Sequence, residues 1–249
     1  MKHILLLSFT LCLLSSMHAQ NPYVELSYPW LNLQQVKEKK VKTIMLATVG
    51  ADNSQIEKQV VLSFDQSGNL VKEENQSGFK YANTFQYDNN GFLKMAVNTY
   101  GNALDTVRYN FNQKNNSFVS QYVSRNTEKG WTITETHFIY SAEKKLLEIK
   151  EYSGSAEHIK GIGENELELS STEKFTHNEG EIISSVGEIS KSFVFDAGGN
   201  LDSFSFTNAL YEISETYYYN YDQNGSLVMI SWSQDGQTNK TFVTYEYYQ

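Results

Sequence analysis

The stretch Leu62-Ser63-Phe64-Asp65-Gln66-Ser67-Gly68-Asn69-Leu70 decides the fold, because the chain repeats it. It returns as Phe85-Gln86-Tyr87-Asp88-Asn89-Asn90-Gly91-Phe92-Leu93, as Phe193-Val194-Phe195-Asp196-Ala197-Gly198-Gly199-Asn200-Leu201 and as Tyr219-Asn220-Tyr221-Asp222-Gln223-Asn224-Gly225-Ser226-Leu227. A phrase that recurs at intervals in the twenties marks one supersecondary unit copied many times. Residues two apart share a face of a strand, so Phe64, Tyr87, Phe195 and Tyr221 point the same way as Leu62, Phe85, Phe193 and Tyr219. The aspartate that follows accepts a hydrogen bond from an N–H two residues on, and the glycine takes the positive φ of a tight reversal. The leucine then opens the returning strand and puts an apolar group back on the core side. Each copy is therefore a hairpin.

Weaker copies occupy the middle of the chain. Tyr109-Asn110-Phe111-Asn112 has asparagine for aspartate, with Asn115 at the turn and Phe118 after it. Phe138-Ile139-Tyr140-Ser141 has serine in that place, with Leu146 following Lys144-Lys145, and His177-Asn178-Glu179-Gly180-Glu181-Ile182 keeps only a remnant. The copies drift in spacing, so the array is degenerate. Before it, residues 31–40 predict one or two helical turns that cap the first hairpin, within an N-terminal cap over residues 20–40. Val41 to Val49 reads as a strand followed by the loop Gly50-Ala51-Asp52-Asn53-Ser54, and Thr241 to Tyr248 reads as the last strand. Residues 154–172, with Gly161, Gly163 and several glutamates, predict a mobile loop or a seam.

Composition supports an all-β chain: 17 tyrosines and 14 phenylalanines stand against 2 prolines, and aromatic residues fit a pleated, half-buried surface. The expected architecture is an antiparallel meander of about a dozen to fifteen strands over residues 41–249. Open twisted sheets beyond about ten strands curl or split. The meander should therefore curl into a barrel-like sheet, or pack as two layers divided near residues 154–172.

Residues 1–19 read as a cleaved export signal. Lys2 and His3 precede the apolar run 4–14, which is too short to span a bilayer as a helix, and Ala19 offers a small residue at the cleavage point. Phe9-Thr10-Leu11 before Cys12 does not suit lipid attachment. Cleavage would leave 230 of the 249 residues, without a cysteine, and would move the net charge from −9 to −10 by removing Lys2. A cysteine-free exported chain forms no disulfide and leans towards a bacterial periplasm or cell surface. Its acidity argues against nucleic acid as a partner.

The phrase resembles the YD repeats of bacterial RHS-type proteins, strongly in four copies and loosely elsewhere across residues 41–249. The stretch Val36-Lys37-Glu38-Lys39-Lys40-Val41-Lys42 leading into Phe64-Asp65-Gln66-Ser67-Gly68-Asn69-Leu70 is similar to short envelope proteins built from such units. The resemblance implies an array of antiparallel hairpins and no catalytic residues. At this length the chain is too short for the enclosing shell of long RHS proteins.

Motifs that carry chemistry are sparse. His137, His158 and His177 show no metal-pair spacing. His137 alternates outward from Phe138, and His158 sits in an acidic loop with Glu157, Glu164, Glu166 and Glu168 that reads as solvated. Asp88-Asn89-Asn90-Gly91 brings its glycine too early for a calcium loop, and Asp196 to Asn200 fails likewise. Gly154-Ser155 reads as a turn and not as a nucleophile elbow. Carboxylate pairs such as Glu73-Glu74 and Glu164/Glu166 read as surface charge. No catalytic, cofactor or metal residue is assigned, and no cofactor is expected. Aromatic ladders remain: Tyr217, Tyr219 and Tyr221 on one face with Tyr218 opposite, and Tyr245 and Tyr247 with Tyr248 opposite. Such rings stack on sugars or anchor proteins, although most must be core.

These features lead to an exported, non-enzymatic binding or scaffolding module of the bacterial cell envelope, with a protein or glycan as partner and no span across the membrane. The alternatives are a hydrolase whose carboxylates assemble from distant hairpins and a small outer-membrane barrel. Charged residues such as Lys72, Glu74, Lys145, Glu148 and Lys150 on the strands speak against the barrel in a membrane.

Overall fold

The aspartate-led turns form as their spacing predicts. In the computed structural model, which describes residues 21–50, 56–101, 103–112, 115–126, 130–234 and 237–249, Asp65 Oδ1 accepts from the Ser67 and Asn69 N–H groups at 2.8 and 3.0 Å. Asp88, Asp196 and Asp222 each accept from the residues two and four positions on. Ser141 does the same with its hydroxyl. There Lys144, at φ 63°, enters the left-handed region that glycine occupies at Gly68, Gly91, Gly199 and Gly225. The segment expected to be a signal peptide and residues 51–55 of the first loop lie outside the described residues.

Two short helices, α1 (Pro22–Ser27) and α2 (Leu33–Glu38), precede sixteen strands among the described residues: β1 (Val41–Val49), β2 (Ile56–Phe64), β3 (Leu70–Asn75), β4 (Tyr81–Tyr87), β5 (Leu93–Tyr100), β6 (Ala103–Asn112), β7 (Ser117–Asn126), β8 (Gly130–Tyr140), β9 (Leu146–Ala156), β10 (Glu168–Asn178), β11 (Glu181–Val186), β12 (Ile189–Phe195), β13 (Leu201–Asn208), β14 (Ile213–Tyr221), β15 (Leu227–Gln234) and β16 (Gln237–Tyr247). Each strand pairs antiparallel with its neighbours in sequence. β1 pairs with β16, which closes a barrel and removes both sheet edges.

Of the two expected architectures, the barrel forms and the two-layer split near residues 154–172 does not. β9 pairs directly with β10 from Glu168↔Ser153 to Lys174↔Glu148, so the sheet runs on without a seam. The sixteen strands among the described residues exceed the expected dozen to fifteen by one. Gly154-Ser155 is not a turn: it lies inside β9. A Cβ on Gly154 would sit 3.0 Å from the Leu167 side chain and 3.4 Å from the Glu166 carbonyl, so the glycine lets the following loop pass close over the strand.

The phrase has a second structural meaning that the turn alone does not convey. Register shifts immediately before the turn in five hairpins, so that Phe64↔Leu70, Tyr87↔Leu93, Tyr140↔Leu146, Phe195↔Leu201 and Tyr221↔Leu227 form the last pairs. A bulge inserts one residue and re-aims the side chains beyond it. All five leucines therefore face inward, each no more than 4 % exposed. Because of the bulge, Leu227 joins Ile230 and Trp232 inside while Val228 is exposed.

Tyrosine hydroxyls then tie one hairpin to the one before. Tyr87 Oη donates to the Leu70 carbonyl at 2.8 Å, Tyr221 Oη to the Leu201 carbonyl at 3.0 Å and Tyr245 Oη to the Leu227 carbonyl at 3.0 Å. The seam is sealed similarly, with Tyr248 Oη on the Phe64 carbonyl at 2.5 Å and Tyr248 N–H on the Lys40 carbonyl at 2.8 Å.

Sixteen strands enclose more space than side chains fill, since about eight already give an interior that side chains just occupy. The N-terminal segment takes up part of the surplus. Asn21 caps α1 through Val24 N–H, Pro22 opens the helix, and Asn32 caps α2 through the Gln34 and Gln35 N–H groups. Buried Val24 and Val36 join Ile44, Leu62, Phe64, Leu70, Phe85, Leu93, Leu227 and Val243 in one core at the turn end of the barrel. Each such side chain stabilises by about 1.5–3 kcal/mol. A second core of Phe118, Phe138, Tyr140 and Leu146 lines the opposite wall. As predicted, α2 caps the first hairpin; α1 was not foreseen.

The outer wall carries charges among exposed apolar side chains such as Leu104, Val194, Tyr218, Val228 and Phe242. Lys72 pairs with Glu74 at 2.7 Å, Lys150 with Glu148 at 2.9 Å and Lys42 with Glu246 at 2.8 Å, and Arg108 and Lys174 also point outward by register.

The turns give a graded test. Gly91 has a φ of 81° and open space where a Cβ would go, whereas a Cβ on Gly68, at φ 84°, would stand 2.7 Å from Lys37 Cβ on α2. Gly91→Ala should cost about 1–2 kcal/mol from the left-handed backbone alone. Gly68→Ala should cost clearly more because it also displaces the cap. Chemical denaturation of both variants checks this, and equal losses would contradict the contact.

Candidate functional site

Strand register divides the interior into a packed floor at the turn end and a half-buried wall towards the other mouth. On the floor, α1 touches walls that lie strands apart. Tyr23 Oη donates to Glu73 Oε2, and Tyr81 Oη to Glu73 Oε1 at 2.7 Å. Asn83 Nδ2 reaches Tyr23 Oη at 3.1 Å and Glu73 Oε2 at 3.3 Å. Asn21 Nδ2 donates to Tyr87 Oη at 2.7 Å, and Tyr140 Oη on β8 donates to Glu25 Oε2 at 2.8 Å. Only a helix inside the barrel can meet β3, β4 and β8 at once. Burial, followed by the neighbouring Glu73 carboxylate, pushes the Tyr23 phenol far above its ordinary value.

Glu73-Glu74 is therefore split. Glu73 is buried inward under the plug, while Glu74 faces out against Lys72. Glu25 is half-buried as a residue, but its carboxyl end turns into the floor, where Oε1 is buried without a hydrogen-bond partner among the described residues. Desolvation raises its pKa to about 7, against the lowering effect of the Tyr140 hydroxyl.

Above the floor, an aromatic row crosses four adjacent strands. Phe193 on β12 lies 4.9 Å from Phe204 on β13, Phe204 5.9 Å from Tyr217 on β14, and Tyr217 5.5 Å from Trp232 on β15, centroid to centroid. All four are half-buried and share the inward face by register. One step towards the mouth runs a polar row. Lys191 pairs with Glu173 at 2.8 Å, Ser184 Oγ donates to Glu173 at 2.7 Å, and Tyr217 Oη donates to Glu215 at 2.7 Å. Burial and then Glu215 push the Tyr217 phenol up to about 12.

The other candidate residues disperse. His137 faces outward, 3.7 Å from Glu135 and against the Tyr152 ring. His158 is exposed in the β9–β10 loop, and His177 turns inward with Nε2 2.6 Å from the Leu146 carbonyl. No cluster of histidines and acids able to hold a metal occurs among the described residues. Asp88 and Asp196 spend their oxygens on their own turns. The loop expected to be mobile is tied down: Gly163 N–H and Asn165 Nδ2 both reach Glu135, at 3.1 and 3.0 Å, and Gln121 Nε2 donates to the same carboxylate at 3.0 Å. Glu164 accepts locally from Gly161 N–H. Tyr217, Tyr219 and Tyr221 do share the inner face, and Tyr218 is exposed outside. Tyr245 and Tyr247 stack at 6.3 Å. Phe193, Phe204 and Trp232 were the missed members of the row; the inward alternation of each phrase strand pointed to them.

Glu25 gives the floor a pH dependence of definite sign. Its folded pKa is raised, so its contribution is fully present below the ordinary carboxylate value and is lost as pH rises through about 7. That loss amounts to about 3 kcal/mol between pH 4.5 and 8. Glu25→Gln should therefore be more stable than the parent at pH 8 and lose most of that advantage at pH 5, as thermal unfolding at the two pH values will report.

No family model and no curated protein matches the chain. Among solved structures it is similar to a porin-like protein from Bacteroides uniformis ATCC 8492, with a TM-score of 0.49 and 14% identity over 83% of this chain and 98% of that one. It is also similar to a porin-like protein from Bacteroides vulgatus ATCC 8482, with a TM-score of 0.38 and 10% identity over the same shares.

Proposed function

We propose that the chain is an exported, non-enzymatic binding module of the bacterial cell envelope, a water-facing barrel whose lumen takes a glycan. The observation that carries this reading is the row Phe193, Phe204, Tyr217 and Trp232, half-buried on the inner wall above a plugged floor. A sugar ring has an apolar face of C–H groups and a rim of hydroxyls. The aromatic row suits the face, and the adjoining Lys191, Glu173 and Glu215 suit the rim. Apart from Glu25, whose Oε1 is unpaired, inward carboxylates are engaged already: Glu73 by tyrosines, Glu173 by Lys191 and Ser184, Glu215 by Tyr217, and Asp105 by Tyr100. This supports binding over hydrolysis.

The outward charges Lys72, Glu74, Arg108, Glu148, Lys150 and Lys174 support a barrel bathed in water, because a membrane barrel needs an uninterrupted apolar band on that face. Recurrence of the same side-chain turn at Asp65, Asp88, Ser141, Asp196 and Asp222 supports reading the hairpins as YD-type units.

Calorimetric titration of the barrel with a panel of neutral and acidic polysaccharides tests the proposal. Trp232→Ala and Tyr217→Ala should each weaken binding of a hit by about tenfold, or about 1.4 kcal/mol, while leaving the unfolding transition cooperative. A panel without a binder, or a hit indifferent to both substitutions, overturns it.

A further inference from the structure

The floor of the barrel contains a cavity that the lumen reading does not use. It has a volume of about 180 Å³ and lies between the two N-terminal helices and the β8–β9, β10–β11, β12–β13 and β14–β15 turns. One water needs about 10–15 Å³ by the same measure, so the cavity has room for a small organic molecule. Its walls mix apolar and polar groups, the aromatic and aliphatic part coming from Tyr28 and Trp30 of the N-terminal segment and Ile182, Phe195, Leu201 and Tyr221 of the barrel. Glu25 also lines it, and Glu25 Oε1 is the buried oxygen without a donor. A buried acceptor left unpaired costs about 1–3 kcal/mol, which a ligand bringing a donor would recover.

We infer that this cavity is a second binding site, taking a small organic cation whose ammonium donates to Glu25 and whose carbon body lies against Trp30, Phe195 and Tyr221. Aromatic faces attract cations as well as apolar groups, and an ammonium supplies both a donor and the charge that an ionised Glu25 requires. Lys39 is held by the Asn224 carbonyl at 2.9 Å and Ser226 Oγ at 3.1 Å. His177 is turned to the Leu146 carbonyl. Lys144 and Lys145 border the cavity from the β8–β9 turn together with Glu143, and Glu181 borders it from β11. Tyr140 contributes a hydroxyl to Glu25 Oε2, and Oε1, closed off from the cavity at rest, meets the ligand once the Glu25 carboxyl turns towards it.

Ligand and proton then compete for one carboxylate. An alkylammonium stays charged across pH 5–8, as a lysine does, while Glu25 is largely protonated at the acid end of that range. Binding of n-hexylammonium and of 1-hexanol should be measured by calorimetry at pH 5, 6, 7 and 8, on the parent, Glu25→Gln and Trp30→Ala. The ammonium should bind at least about tenfold more tightly than the alcohol at pH 8, and that preference should shrink towards parity at pH 5. Glu25→Gln should stay folded by thermal unfolding and lose the preference at every pH. Trp30→Ala should weaken both ligands. Equal affinity of the two ligands at pH 8, binding of neither, or a preference that survives Glu25→Gln overturns the inference. None of these results depends on the aromatic row of the lumen.

Discussion

A ring of sixteen strands leaves a hole that its own side chains do not fill, and the rest of this molecule is arranged around that excess volume. Eight inward-pointing strands already pack solid. Doubling the number forces a choice between a water-filled bore and an internal filler. The chain adopts both, in different halves. At the turn end α1 and α2 sit inside with Val24 and Val36 buried, and beyond them the wall carries half-exposed rings and charges. The division between packed floor and open wall creates the two places where a ligand can be held.

Holding a polar helix inside a barrel is costly unless each of its groups is met. Glu73 is met by Tyr23, Tyr81 and Asn83, and Asn21 by Tyr87, so the α1 ends are fixed by hydrogen bonds to charged or buried partners, each worth more than an exposed one. Glu25 is the exception, with one oxygen satisfied and one not. Buried polar atoms are nearly always paired, so the incomplete acid marks a position where packing has been left open at an energetic cost. The same cost raises its pKa and makes the floor sensitive to protons.

Much of this was legible in the residues. Asp-x-x-Gly-x-Leu announces a turn because aspartate, glycine and leucine each have one job there, and Leu70, Leu93, Leu201 and Leu227 are buried as the phrase requires. Closure was not legible, because it depends on β1 meeting β16 from the far end of the chain, and no local pattern encodes that distance. The bulge escaped notice because period-two alternation assumes an unbroken ladder. The α1 plug was hidden beside the stretch that reads as an export signal, although Asn21-Pro22 is a helix-start signal. Glu135 reads as one more acid in an acidic protein. Only the structure shows it buried beneath the 157–167 loop, with Gly163, Asn165 and Gln121 gathered on it.

The tyrosine hydroxyls that reach back to the previous hairpin's leucine carbonyl carry a consequence for how such a chain can change length. Tyr87, Tyr221 and Tyr245 each latch onto the main-chain oxygen of the leucine that opens the preceding return strand. A single inserted strand would present the wrong direction and the wrong face to that latch. A whole inserted hairpin would repeat it intact. Circumference can thus grow or shrink only in two-strand increments, and each increment alters the bore while the N-terminal filler keeps its size. Lineages that gain or lose a repeat must refit the stopper to the bottle.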